Sequence, residues 1–62
     1  MKVILNDKII ELNKDSNVFD ALNVLRVNPE TVLVKKKNKL IPHDSVLKDG
    51  DRIQTVTVIS GG

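Results

Sequence analysis

Apolar and polar positions alternate at the start of the chain. In "MKVILNDKIIEL", Met1, Val3 and Leu5 share one side of an extended segment, and past the polar break at Asn6-Asp7 so do Ile10 and Leu12. Those five residues are predicted to point into a core, with Ile4 and Ile9 facing the other way. Asn and Asp tolerate the left-handed backbone that a tight hairpin turn needs, so the opening reads as a β-hairpin turning at Asn6-Asp7. The period changes in "DSNVFDALNVLRV", where Val18, Ala21, Leu22 and Leu25 form one helical stripe. Ser16 or Asn17 caps that helix by accepting a bond from a free N–H of its first turn, and Asp20 places negative charge near the positive end. The pattern predicts about nine to eleven residues of helix, ended by Asn28-Pro29 because the residue before a proline is pushed toward extended conformations. Phe19 lies beside the stripe, and spacing alone leaves open whether it packs or projects.

"TVLVKKKNKLIP" reads as a second hairpin: a strand from Thr31, a polar turn around Lys37-Asn38, and a short strand at Leu40-Ile41 closed by Pro42. Asp49-Gly50-Asp51 predicts a turn in which Gly50 takes a positive φ. From Asp51 the chain runs extended through "DRIQTVTVIS". The order β-β-α-β-β-β describes one α+β domain over residues 1–62, a mixed sheet of four to five strands with a single helix across one face. In the last strand, alternation places Val56 and Val58 on the side away from the helix, with Ile4. These three residues are the expected partner-docking face, since a contiguous apolar patch on an open sheet marks an interaction surface; scattered surface hydrophobes are the plainer reading.

Composition sharpens this picture in two respects. Of 62 residues, 22 are Val, Ile or Leu, against one Phe and no Trp, Tyr or Cys, so the core is aliphatic and no disulfide or cysteine-held metal is possible. The net charge of +2 is small, and its excess sits in "KKKNK", Lys35 to Lys39. That cluster reads as a solvated loop or as a contact for an acidic partner or nucleic acid. No stretch approaches the roughly 20 apolar residues of a membrane span, and a cytoplasmic protein is expected.

Side chains that could do chemistry are few. His43 reads as a solvent-exposed polar residue, turn chemistry accounts for Asp44, Asp49 and Asp51, and the three glycines make no phosphate loop. A catalytic constellation needs a nucleophile, a base and an orienting group, and none is assembled here. What remains is the terminus, "TVTVISGG". Glycine is the residue most costly to order, and a terminal pair also fits a frayed end. Read as a device, Ser60, Gly61 and Gly62 form a flexible tail that holds an α-carboxylate away from the body. The carbonyl of Gly62 is open to approach from either side, and Gly61 fits a channel too narrow for a Cβ. A carboxylate is a poor acyl donor, but transfer to AMP would make it a mixed anhydride that a sulfur or amine nucleophile can attack.

The opening hairpin, the single helix, "LKDGDRI" from Leu47 to Ile53 and the terminal "VISGG" together resemble the ubiquitin-like β-grasp sulfur carriers, the thiamine-biosynthesis (ThiS) type in particular, over the whole chain. The resemblance implies a protein co-substrate rather than an enzyme, monomeric when free and binding no metal or cofactor itself. An E1-like enzyme would adenylate Gly62 with ATP and magnesium. A cysteine desulfurase or persulfide protein would supply sulfur for a thiocarboxylate, and a thiazole synthase or other acceptor would receive it. Related chains serve as molybdopterin-synthase small subunits, usually longer than this one, or as archaeal protein modifiers using the same two glycines. A stand-alone binding module, reading RNA through Lys35, Lys36, Lys37 and Lys39, is a third reading, opposed by the lack of aromatic residues for stacking. Two departures from the family stand out: Thr55 and Thr57 occupy positions that are often more apolar in relatives, and "KKKNK" is unusually basic for a turn.

Overall fold

Two hairpins, one helix and a last strand that joins the hairpins make up the computed structural model, which describes residues 1–58. The tail at Ser60, Gly61 and Gly62 lies outside the described residues. The strands are β1 (Lys2–Leu5), β2 (Lys8–Glu11), β3 (Val32–Lys36), β4 (Lys39–Ile41) and β5 (Arg52–Thr57), with one helix, α1 (Val18–Val24). Their order across the sheet is β2-β1-β5-β3-β4. β1 pairs antiparallel with β2 and parallel with β5, while β3 pairs antiparallel with β5 and β4. This is the mixed five-stranded sheet and single helix of a β-grasp. No helix among the described residues is long and apolar enough to cross a membrane.

Both hairpins turn where the polar pairs predict. Asn6 and Asp7 have φ of 51° and 66°, and Lys37 and Asn38 have 53° and 64°. Two consecutive left-handed residues match the twist of the flanking strands, which is why such pairs close two-residue hairpins. The core gathers Val3, Leu5, Ile10 and Leu12 from the first hairpin, Val18, Ala21 and Leu22 from α1, Val32 and Val34 from β3, and Leu47 and Ile53. Met1, also predicted inside, is half-buried against them. Each fully buried aliphatic side chain contributes about 1.5–3 kcal/mol, and that matters in a chain this short, which buries only about 60% of its unfolded surface.

Of the two candidate caps, Asn17 does the work. Its side chain accepts from Asp20 N at 3.1 Å, and the Asp20 carboxylate accepts from Asn17 N at 3.0 Å, a reciprocal capping box. The helix is seven residues long rather than nine to eleven. Arg26 turns left-handed at φ 56°, its N–H bonds Asn23 O, and Val27 N bonds Leu22 O. These two bonds form a Schellman stop, so the helix ends before the proline can act. Asn28 and Pro29 instead open a short 3-10 turn over Pro29–Thr31, capped by the Asn28 side chain, and β3 therefore begins at Val32 rather than Thr31.

The Asp49-Gly50-Asp51 turn sets the last strand beside the first. Lys2 N donates to the Asp49 carboxylate at 2.7 Å, and Gly50 N, at φ 85°, donates to Lys2 O at 2.7 Å. Ile4 N then bonds Asp51 O at 2.8 Å, and parallel pairing continues as Ile4 with Arg52 and Leu5 with Ile53. The backbone of β1 ends there, but a side chain prolongs the contact. The Asn6 amide accepts from Thr55 N at 2.9 Å and donates to Thr55 Oγ1 at 2.8 Å. Thr55 thus presents a hydroxyl that the Asn6 side chain uses.

Asp51 is itself held by the Lys48 N–H at 2.8 Å and by the Lys36 ammonium at 3.1 Å. Burial alone would raise its pKa, but the Lys48 bond and the Lys36 charge outweigh that and hold the carboxyl below the usual aspartate value. Because the folded state lowers this pKa, the stabilisation is present above the ordinary aspartate range and is lost as pH falls through the folded value. Asp51→Asn should lower stability by about 1–2 kcal/mol at neutral pH. In denaturant melts the gap between the two proteins should close as pH drops below about 4, the ordinary aspartate value; a gap that persists unchanged into strong acid contradicts the role of the charge. Asn6→Ala, which removes the acceptor of the exposed Thr55 N–H, should cost about 0.5–1.5 kcal/mol in the same melts.

Candidate functional site

Alternation along β5 divides its side chains between two faces. Ile53 enters the core, while Arg52, Gln54 and Val56 point away from the helix. Directly opposed residues in a ladder point to the same side of a sheet, so the pairs Leu33 with Val56, Lys35 with Gln54, and Lys35 with Leu40 place β3 and β4 residues on that open face too. Ile4 lies there beside Arg52 and opposite Ile9.

The three expected docking residues do not form one patch. Val56 and Val58, 40% and 46% exposed, sit together at the far end of β5, where Leu33, 42% exposed, completes an apolar strip. Val58 is held there by its N–H, which donates to Thr31 O at 2.9 Å. Ile4 belongs instead to a separate pair with Ile9. It is four residues away along β5, about 13 Å at 3.3 Å per residue. Leu33 was missing from the sequence reading, although strict alternation in "TVLVK" sets it opposite to the buried Val32 and Val34.

Between these apolar ends the face is cationic. Lys35, Lys37, Asn38, Arg52 and Gln54 line a shallow depression of about 220 Å³. The basic run is therefore split by the strand period: Lys35 is on the open face, while Lys36 is on the helix side, paired with Asp51. Lys37 occupies the turn.

The other face carries a correction. His43 is not a solvent-exposed polar residue; it is half-buried, with Nε2 3.0 Å from Val32 O and its ring centroid 5.4 Å from that of Phe19. A carbonyl oxygen only accepts, so Nε2 carries the proton. This also settles Phe19, which projects from α1 and covers the imidazole while staying 47% exposed. Pro42, which closes the short strand, is what leads the chain back under the helix, and sequence spacing holds no sign of that contact. Among the described residues no group of three His, Cys, Asp or Glu side chains could hold a metal. Asp49 and Asp51 are committed to the turn that launches β5.

The described body therefore offers an open sheet face with an apolar and a cationic half, and no catalytic group is assembled among the described residues. The comparisons with known proteins agree with its architecture. The chain is 46% identical over 43 residues to an uncharacterized protein of Archaeoglobus fulgidus, a match covering 69% of this chain and 63% of that protein. It thus spans less than two thirds of that relative's length. It is similar, at 25% identity and a TM-score of 0.74 over the full length of both chains, to the crystal structure of the thiamine biosynthesis protein ThiS from Geobacter metallireducens. The family model of ThiS matches residues 3–62, nearly all of the sequence including its last two glycines, and the chain belongs to the ThiS family.

Proposed function

We propose that the chain is a sulfur carrier for the thiazole of thiamine, and that its working group is the carboxylate of Gly62. The observation that carries this reading is the family match running through residue 62. A solved relative named as a thiamine biosynthesis protein supports the pathway. In this scheme the Gly62 carboxylate, held by an E1-like enzyme, attacks the α-phosphorus of ATP and displaces pyrophosphate, leaving a mixed anhydride with AMP. A persulfide sulfur then displaces AMP, and a thiol reduces the resulting sulfur–sulfur bond to leave the thiocarboxylate. The chain supplies a reachable carbonyl and a surface to dock it by; ATP, magnesium and the sulfur donor belong to its partners. The apolar strip of Leu33, Val56 and Val58 is the surface nearest in sequence to the tail, and it is the docking site in this reading.

A second reading keeps the same activated glycine and joins it to lysines of other proteins. The two readings separate on where Gly62 ends up: as a thiocarboxylate on the free chain, or as an isopeptide remnant on a substrate lysine.

Incubation with an E1-like enzyme, ATP and a persulfide donor should raise the intact mass by the difference between sulfur and oxygen. An unchanged mass, with an enzyme shown to be active on another carrier, overturns the proposal. Deleting Gly61 and Gly62 should leave stability within about 0.5 kcal/mol while abolishing ATP–pyrophosphate exchange, because the carboxylate then falls about 7 Å short at 3.3–3.6 Å per residue. Gly62→Ala should slow exchange strongly with little effect on affinity. Full exchange by the shortened chain would sink the carrier reading. Val56→Asp, at an exposed position, should keep the protein folded and raise the KM for exchange by about tenfold or more; an unaltered KM removes the apolar strip from the interface.

A further inference from the structure

The proposed tail chemistry leaves the cationic half of the open face without a use, and no ion pair among the described residues engages it. Lys35 from β3, Lys37 from the β3–β4 turn and Arg52 from β5 meet at one depression, joined by the amides of Asn38 and Gln54. Among the described residues, the one ion pair within 4 Å of the basic run is Lys36 with Asp51, on the other side of the sheet. The ladder neighbours of Lys35 on the open face are Gln54 and Leu40, and that of Arg52 is Ile4, so no carboxylate stands opposite either cation. Lys37 adds to this. It sits at φ 53°, a conformation that Gly or Asn holds with less strain, so a lysine there contributes nothing to the turn that a better turn residue would not.

We propose that this depression docks a carboxylate-rich segment of the adenylating enzyme, alongside the contact made by the apolar strip. The inference rests on the carrier reading above and adds the chemistry of the partner's surface to it. Three cations with no ion pair among the described residues, spread over two adjacent strands and a turn, suit two or three carboxylates spaced along a protein surface. Continuity with Leu33 and Val56 on the same face favours a protein over a nucleic acid, and the single aromatic residue, Phe19, is on the opposite side of the sheet, where it cannot stack bases against this patch. The geometry also gives the pairing a purpose. Apolar contact is non-directional, whereas opposite charges fix register and orientation as well as speeding encounter. Arg52 and Val58 stand about 20 Å apart along the strand at 3.3 Å per residue. A partner gripping both ends of β5 therefore holds the domain in one orientation only.

The test is ATP–pyrophosphate exchange by the full chain with the E1-like enzyme, measured against salt. The double variant Lys35→Glu/Arg52→Glu should raise KM by about tenfold or more while kcat at saturation stays the same. Its KM should lose the steep rise with salt that the wild-type protein shows. The control pair Lys8→Glu/Lys14→Glu changes the net charge equally away from the depression and should alter KM by less than about twofold. Thermal melts establish folding, and Lys35→Gln/Arg52→Gln, which keeps the face polar without reversing it, should give a smaller shift in the same direction. If the reversed pair and the control pair shift KM alike, or neither does, the proposal is overturned and the carrier reading stands. If the wild-type chain supports no exchange with an enzyme active on another carrier, the carrier reading fails and takes the proposal with it. Binding of a short oligouridylate at physiological salt that the reversed pair abolishes, with exchange unaffected, would assign the patch to nucleic acid and overturn it equally.

Discussion

The parallel junction between β1 and β5 holds this small domain together. Each hairpin is closed by its own turn, but neither can bury its apolar side alone, and only β5 gives them a common sheet. That junction has two registered residue pairs, Ile4 with Arg52 and Leu5 with Ile53. It is therefore braced at both ends by side chains and turn backbone. Asp49 and Gly50 satisfy both backbone groups of Lys2 at the entry, and the Asn6 amide grips Thr55 at the exit. A sheet with a short central contact would otherwise split along it.

The same bracing explains the division of β5 into two uses. Once its backbone is fixed between β1 and β3, the period of two sends Ile53 into the core and Arg52, Gln54 and Val56 outward. The core residues answer to stability, and the outward residues are free to answer to partners. On the proposed carrier reading, the described body is a shaped handle and the chemistry belongs to its partners.

Element order and the buried faces were legible because local signals agreed with one another. Asn6-Asp7 and Lys37-Asn38 named both hairpins, the Val18 to Leu25 stripe named the helix, and Asp49-Gly50-Asp51 placed the start of β5. What escaped the reading depended on partners distant in sequence or on unusual residues in familiar roles. The helix stop was hidden because Arg26, not Gly or Asn, takes the left-handed position. His43 looked like a loop residue because its partners, Val32 and Phe19, belong to other elements. Thr55 looked like a departure from the family until Asn6, 49 positions earlier, supplied the reason. The open face was half legible: Val56 and Val58 follow from alternation, but the distance of Ile4 from them depends on a register that only pairing reveals.

The order β2-β1-β5-β3-β4 also bears on how the protein is born. During synthesis the first hairpin, the helix and the second hairpin emerge before the strand that lies between the two halves. Until Thr57 has left the ribosome, the halves share no strand, Val3, Leu5 and Val34 lack Ile53 to pack against, and both inner sheet edges stand open to other chains. A nascent chain interrupted upstream of β5 thus lacks the strand that unites the sheet, and its open edges invite pairing with other chains. Completion of the fold therefore waits on β5, the last strand to be made among the described residues.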